Sequence, residues 1–213
     1  MEVVELFAKG GPVMYLLLIS SVVVVAIAIE RLRYYSYAEE DEKFLPALVN
    51  RLKAQSADEV LIFCRKHRSS VGKVALAGIR AAVEGENVEF AMNVAYDDEA
   101  MKFRARLNYL SMIVTLAPLL GLLGTISGMI ESFNIFSIQA GQPLAITGGI
   151  GEALIATATG LCVSIFALIV HTYFAQRLDE NLTELDKTIN VVLAGLSGQS
   201  ELQPADDSEG EIL

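Results

Sequence analysis

The sequence predicts an all-α integral membrane protein with three transmembrane helices, two of which extend into a cytoplasmic helical bundle. Of its 213 residues 53% are hydrophobic and 20% are charged, and the mean hydropathy is +0.46. That is too apolar for a soluble domain and too charged for membrane spans alone. Three apolar segments are long enough to cross about 30 Å of hydrocarbon. Elsewhere apolar residues recur at helical spacing, without the alternation that is typical of strands.

The first predicted transmembrane helix covers residues 12–29 and follows a short external stub, residues 1–11. Four consecutive valines, residues 22–25, lie at its centre. The stub lacks the basic region of a signal peptide, and the charged residues 30–33 stand where a small-residue cleavage site would be needed. We therefore expect this segment to be retained as a membrane span.

A polar cytoplasmic region, residues 30–108, is predicted to connect the first span to the second. Three short amphipathic helical pieces and one longer segment without proline or glycine follow each other here: 44–53, 57–67, 71–84 and 88–107. The longer segment is expected to continue as a helix into the second span.

The basic residues predict the orientation in the membrane. Thirteen lysines and arginines lie within residues 30–108, whereas the segment 137–149 has none. Arg177 and Lys187 follow the third span. Because loops rich in lysine and arginine stay in the cytoplasm, we expect the N-terminus outside and the C-terminus inside.

The second and third transmembrane helices are predicted at residues 109–136 and 146–174, joined by an external loop at 137–145. A cytoplasmic helical extension, 175–198, continues the third span, and an acidic tail that we expect to be disordered, 199–213, follows it. The extension carries an apolar stripe at alternating steps of four and three residues: Leu178, Leu182, Leu185, Ile189, Val192 and Leu196.

Small residues mark the second and third spans, and Glu152 lies near the start of the third. Small faces allow helix backbones to approach closely in lipid, and the predicted helix-packing residues are Gly121, Gly128 and Gly160. Packing does not explain Glu152, because a carboxylate costs about 2.5–3.5 kcal/mol or more at the bilayer centre. Neither span contains a lysine or arginine. Glu152 must therefore be protonated, face water, or lie near the helix N-terminus, where the dipole favours it.

Two strings of residues carry a resemblance to a known family. Residues 117–129, APLLGLLGTISGM, resemble the second-span signature of the ExbB/TolQ/MotA proton-channel family, and residues 148–161, GGIGEALIATATGL, resemble its third-span signature. The two motifs occur in the right order, inside predicted spans. The resemblance is strong over residues 107–173 and rests on topology elsewhere. Three spans rather than four make the chain similar to the ExbB and TolQ branch.

The resemblance implies a stator subunit of a proton-driven motor in the bacterial inner membrane, most like ExbB. In ExbB-like proteins five copies surround a pore that holds the single spans of two ExbD-like subunits. Proton flow there drives rotation and energises outer-membrane transport through a TonB-like protein. By motif position, the residues lining the ion pathway here would be Thr125, Glu152 and Thr157.

Two other functions stay open. The chain could be a TolQ-like subunit that serves envelope integrity, or a non-conducting scaffold in which Glu152 is a buried structural acid. An enzyme is not predicted, because the sequence has no nucleophile with a base, no metal cluster and no phosphate loop. Cys64 and Cys162 fit no metal-ligand spacing. We expect no cofactor, no metal and no nucleic-acid partner.

Overall fold

The computed structural model describes residues 11–38, 44–54, 57–67, 69–138 and 143–200. Within these ranges the side chains of residues 37–38, 53–54, 57–58, 135–138, 143–148, 152 and 198–200 are not described. The predicted external stub, much of the external loop and most of the acidic tail therefore lie outside the described residues.

Every regular element in these ranges is a helix, which confirms the all-α prediction. The helices are α1 (Gly11–Ala38), α2 (Phe44–Ala54), α3 (Ala57–Lys66), α4 (Ser70–Glu84), α5 (Val88–Arg104), α6 (Leu107–Ile138) and α7 (Pro143–Ser200). Three stretches are long and apolar enough to cross a membrane, namely Gly11–Ser36, Val88–Asn134 and Gly149–Ser197. The first contains the predicted span 12–29, and the other two overlap most of the predicted spans 109–136 and 146–174. The chain is a membrane protein.

One helix boundary differs from the prediction. The segment 88–107 does not run unbroken into the second span, because Arg106 adopts a left-handed conformation with φ 68° between α5 and α6. The Arg106 guanidinium bonds to the Glu30 carboxylate. The C-terminal extension was predicted at residues 175–198, and α7 ends close to that boundary, at Ser200. Gly195 lies inside α7 and packs against Leu52, since a Cβ at Gly195 would lie 3.0 Å from the Leu52 Cδ1.

The contacts divide the chain into two compact units, one from the described parts of Met1–Arg33 and Arg104–Gln176, the other from those of Tyr34–Phe103 and Arg177–Leu213. In the first unit, α1 buries one face: Val13, Met14, Leu17, Val24 and Ile27. Its Val13 Cβ would lie 3.6 Å from a Cβ on Gly124 of α6. The first span therefore packs against the second through a glycine.

The second unit has a core built from short helices and the last part of α7. Its fully buried side chains are Phe44, Leu48, Val60, Cys64, Val74, Ile79, Met92, Phe103, Leu185 and Val192. Local sequence signals mark both the beginning and the end of α4. The Ser69 hydroxyl accepts from the Gly72 N–H at 3.2 Å, and Gly85 takes the left-handed conformation that glycine adopts without strain.

The carboxylate of Glu99 is buried in this core. Only 2% of the Glu99 side chain is exposed. It accepts hydrogen bonds from the Ser70 hydroxyl at 2.7 Å, Lys73 Nζ at 3.0 Å and Lys102 Nζ at 2.9 Å. Burial raises the pKa of Glu99, but the hydrogen bonds from Lys102, Ser70 and Lys73 outweigh it, and the pKa is lowered from 4.5. The bonds tie α4 to α5.

We predict that Glu99→Gln lowers the free energy of unfolding by about 1–3 kcal/mol at neutral pH, because it removes bonds to a charged acceptor. A lowered native pKa stabilises the fold above the unfolded-state pKa and stops doing so as the pH falls through the native value. The gap between wild type and variant should therefore close as the pH falls below about 4. Thermal unfolding in detergent, followed by circular dichroism, measures both effects. Glu84→Gln, which breaks an exposed pair with Arg80, is the control and should change nothing measurable. If Glu99→Gln lowered the free energy of unfolding equally at neutral and at acidic pH, this account of Glu99 would be contradicted.

Candidate functional site

Helices α6 and α7 lie in backbone contact along the two motif-bearing segments. A Cβ on Gly160 would lie 2.6 Å from the carbonyl oxygen of Ala117, and a Cβ on Gly121 would lie 3.0 Å from the Cα of Thr157. A Cβ on Gly124 would lie 2.6 Å from the Cβ of Ala156. The contacts at Gly160 and Gly124 are shorter than a real Cβ shows, and the contact at Gly121 is tighter than most. Larger residues at these positions would therefore push the helices apart.

The same contact continues toward the loop that joins the two helices. A Cβ on Gly128 would lie 3.0 Å from the Cβ of Ala153, and a Cβ on Gly149 would overlap the Ser132 hydroxyl. That hydroxyl donates to the Gly128 carbonyl of its own helix at 2.7 Å. The structure thus brings the small faces of both spans together within one subunit, as a single seam from Ala117 to Gly149. We call this contact the α6–α7 seam.

Two hydroxyl groups cross the seam. Thr157 Oγ1 donates to the carbonyl oxygen of Gly121 at 3.0 Å, and Ser164 Oγ donates to that of Val114 at 2.7 Å. The sequence places Thr157 and Ser164 beside the small face of the third span. It does not reveal their acceptors, because these lie on another helix.

The three predicted ion-pathway residues have different surroundings. Thr157 is half-buried at the seam, as its bond to Gly121 requires. Thr125 is also half-buried, but its hydroxyl donates to the Leu122 carbonyl of its own helix at 2.7 Å. Glu152 lies in α7, between the exposed Gly151 and the buried Ala153, and its side chain lies outside the described residues. These two threonines are not hydrogen-bonded to each other.

The outer surface of the first unit is apolar. At most 28% of each apolar window in the three spans is buried within the chain. Large exposed side chains face outward on all three long helices: Ile19, Val22 and Ile29 on α1, Leu119, Leu122 and Ile130 on α6, and Leu154, Ile165 and Ile169 on α7. Such a surface belongs in lipid or against other protein. Among the described residues, His, Cys, Asp and Glu form no group of three or more that could hold a metal ion.

The fold and the seam define a class: a membrane protein with three spanning helices, in which glycine-rich second and third helices form a close pair that carries hydroxyl groups. Residues 66–187 match the model of the MotA/TolQ/ExbB proton channel family. The chain belongs to this family.

Individual relatives agree with that assignment. Over 77% of its length, the chain is 37% identical to ExbB-like 1 of Synechocystis sp., covering 67% of that protein. It is 26% identical over 86% of its length to the ExbB homolog of Methanothermobacter thermautotrophicus, again covering 67%. It is 39% identical to TolQ of Pseudomonas aeruginosa, over 43% of this chain and 40% of that protein. The first two relatives are matched across most of this chain, and TolQ over a shorter segment.

The seam predicts a sharp contrast between two glycines of α7. Gly160→Ala places a methyl group against the Ala117 backbone, which cannot move aside, so it should lower the free energy of unfolding by about 1–3 kcal/mol. Gly151→Ala is the matched control, since a Cβ there would meet nothing within 4 Å. It should be neutral or stabilise slightly through helix propensity. Detergent-to-SDS titrations of both variants measure the difference. Equal effects would show that α6 and α7 are not in backbone contact.

Proposed function

We propose that this chain is the ExbB-like stator subunit of a proton-driven motor in the bacterial inner membrane. It would pair with an ExbD-like single-span subunit and convert proton-motive force into mechanical energy for TonB-dependent outer-membrane transport. The observation that carries the proposal is that both family signatures lie on α6 and α7, which pack backbone to backbone and present hydroxyl groups. Because neither span contains a lysine or arginine, a passing proton meets no fixed positive charge there.

The hydrogen bonds of the two threonines suit this role. Each hydroxyl already donates its proton to a carbonyl, Thr157 to Gly121 and Thr125 to Leu122. The oxygen lone pairs are therefore left to accept a bond from water or from a protonated carboxyl group. A protonated carboxyl group on the partner can donate a hydrogen bond to these lone pairs, whereas an ionised carboxylate has no proton to donate. Glu152, on the same helix as Thr157, would complete the pathway as the acid at membrane depth.

The energy available limits the mechanism. Each proton that crosses a 100 mV potential supplies about 2.3 kcal/mol, so a mechanical step against several packed side chains needs more than one. The proposed orientation, with the N-terminus outside and the C-terminus in the cytoplasm, rests on the thirteen bases within residues 30–108. It places the second unit in the cytoplasm.

Exposed apolar side chains on α5 support a homo-oligomer, for which the family resemblance suggests a pentamer around a partner dimer. Phe90, Val94 and Met101 are 69%, 54% and 64% exposed. They lie on the face of α5 opposite its buried residues, Met92 and Phe103. The same helix carries exposed Asp97 and Asp98, which exclude it from hydrocarbon. Protein rather than lipid should cover this face, and we propose that a second copy of the chain does so.

A TolQ-like function is the second candidate, supported by the TolQ relative that aligns with part of the chain. The choice depends on the partner. Co-expression with a TonB-system or a Tol-system single-span protein, followed by purification of the complex, distinguishes the two.

We predict that Thr157→Val lowers proton flux at least about tenfold in liposomes that contain the chain and its single-span partner, equivalent to about 1.4 kcal/mol in the barrier. Thr159→Val is the matched control. Its hydroxyl is also half-buried on α7 but bonds to the Ile155 carbonyl of the same helix, so its flux should stay near wild type. Glu152→Gln should also abolish flux. Normal flux in Glu152→Gln, with intact assembly, would remove Glu152 from the ion pathway. If the wild-type complex itself carries no proton flux, the non-conducting scaffold is favoured instead.

The oligomer proposal makes a separate prediction. Val94→Glu should dissociate the purified protein, because it buries a charge at the proposed subunit contact. Asn93→Glu introduces the same charge at the neighbouring exposed position, about 100° around the helix, and should leave assembly intact. Native mass spectrometry counts the subunits. Unchanged assembly in both variants would remove α5 from the interface.

A further inference from the structure

Pro118 lies inside α6 and removes one backbone hydrogen bond from that helix. A proline has no N–H, so the carbonyl oxygen of Val114, four residues earlier, loses its ordinary helical donor. Val114 lies within the apolar second span. The hydrocarbon core of a bilayer offers no water to a backbone carbonyl, so an unpaired one there is costly.

Ser164 supplies the missing donor from the neighbouring helix. Its Oγ donates to the Val114 carbonyl oxygen at 2.7 Å. A serine in a helix commonly bonds to the carbonyl four residues back in its own helix, as Ser20 and Ser132 do in this chain. Ser164 instead bonds across to α6, to the carbonyl that Pro118 leaves without a helical donor. We propose that Ser164 is a positioning residue, which replaces the bond lost at Pro118 and so fixes α6 against α7.

The second bond across the seam indicates which residue Ser164 would position. Thr157 bonds to Gly121, and Gly121 is seven residues after Val114, just as Ser164 is seven residues after Thr157. The two bonds therefore stand two helical turns apart, about 10.5 Å, on helices that run in opposite directions. The tight contact of Gly160 with Ala117 lies between them. One bond allows the helices to pivot, whereas two bonds with a close contact between them set both rotation and register. Ser164 would thus hold Thr157 at the Gly121 carbonyl.

The sequence permits a direct test of the hydrogen bond. Val-Thr occurs once in the chain, at Val114-Thr115, so labelling valine carbonyls with ¹³C and threonine amides with ¹⁵N isolates the Val114 carbonyl signal in NMR of the full-length protein in lipid. Loss of a hydrogen bond moves a carbonyl ¹³C signal to lower chemical shift. We expect that movement in Ser164→Ala but not in Ser164→Thr, which keeps the hydroxyl. In the double variant Pro118→Ala/Ser164→Ala the signal should return, because the new N–H at 118 can bond to Val114.

The unfolding equilibrium gives a second readout. In SDS titrations Ser164→Ala should raise the unfolding equilibrium constant about three- to tenfold when Pro118 is present. In the Pro118→Ala background the same change should matter by no more than about twofold. An equal cost in both backgrounds would overturn the pairing of Ser164 with Pro118, as would a Val114 signal that does not respond to Ser164→Ala.

The positioning role itself is tested by proton flux with the single-span partner, and only this arm rests on the proposed function. Flux relative to wild type should fall in Ser164→Ala and recover in Ser164→Thr. If wild type conducts and the Val114 signal moves while flux in Ser164→Ala stays normal, the positioning role is wrong. If wild type with its partner does not conduct, the proposed function fails, and the NMR and unfolding results still decide the Ser164–Pro118 pair.

Discussion

The backbone contact between α6 and α7 is the constraint on which the rest of the first unit depends. In lipid, helices gain nothing by hiding apolar side chains from water, so association must come from close packing and from hydrogen bonds. Gly121, Gly124 and Gly160 allow the first, because a Cβ at any of them would collide with the opposite helix. Thr157 and Ser164 provide the second by donating across the gap. The outer surfaces are thereby left free to face lipid or other copies of the chain.

The stable pair also gives the hydroxyl groups a defined chemistry. With its proton committed to the Gly121 carbonyl, the Thr157 hydroxyl presents only lone pairs to whatever lies beside it. A group of this kind attracts a proton carrier without holding a charge of its own, so a helix that moves past it meets little resistance. A fixed lysine in the same place would repel a proton. If the chain is a motor stator, as proposed, this chemistry explains why threonines on a rigid helix pair suit the ion pathway.

The sequence was sufficient for the fold class and for the two helices that pack together. Spans of the right length and the glycines at helical spacing led to three membrane helices with small faces, and the family signatures led to the correct family. The break at Arg106 could not be predicted, because neither proline nor glycine marks it and its φ of 68° accompanies a bond to Glu30, distant in sequence. The hydrogen-bond acceptors of Thr157 and Ser164 could not be predicted either. Every residue has a backbone carbonyl, so the residue type does not show which carbonyl on another helix accepts the bond. Pro118 was the available signal for Ser164, because it identifies Val114 as the carbonyl that needs a donor.

The central claim is that the two threonines and Glu152 face a hydrated axis shared by several copies and occupied by the partner's helix. A cryo-electron-microscopy map of the chain bound to its single-span partner in lipid tests this most directly. The account predicts a ring of subunits in which the Thr125 and Thr157 hydroxyls and the Glu152 carboxylate lie within water-bridged hydrogen-bonding distance of the enclosed helix. A ring in which these groups point into lipid, or a monomer that encloses them, would contradict it.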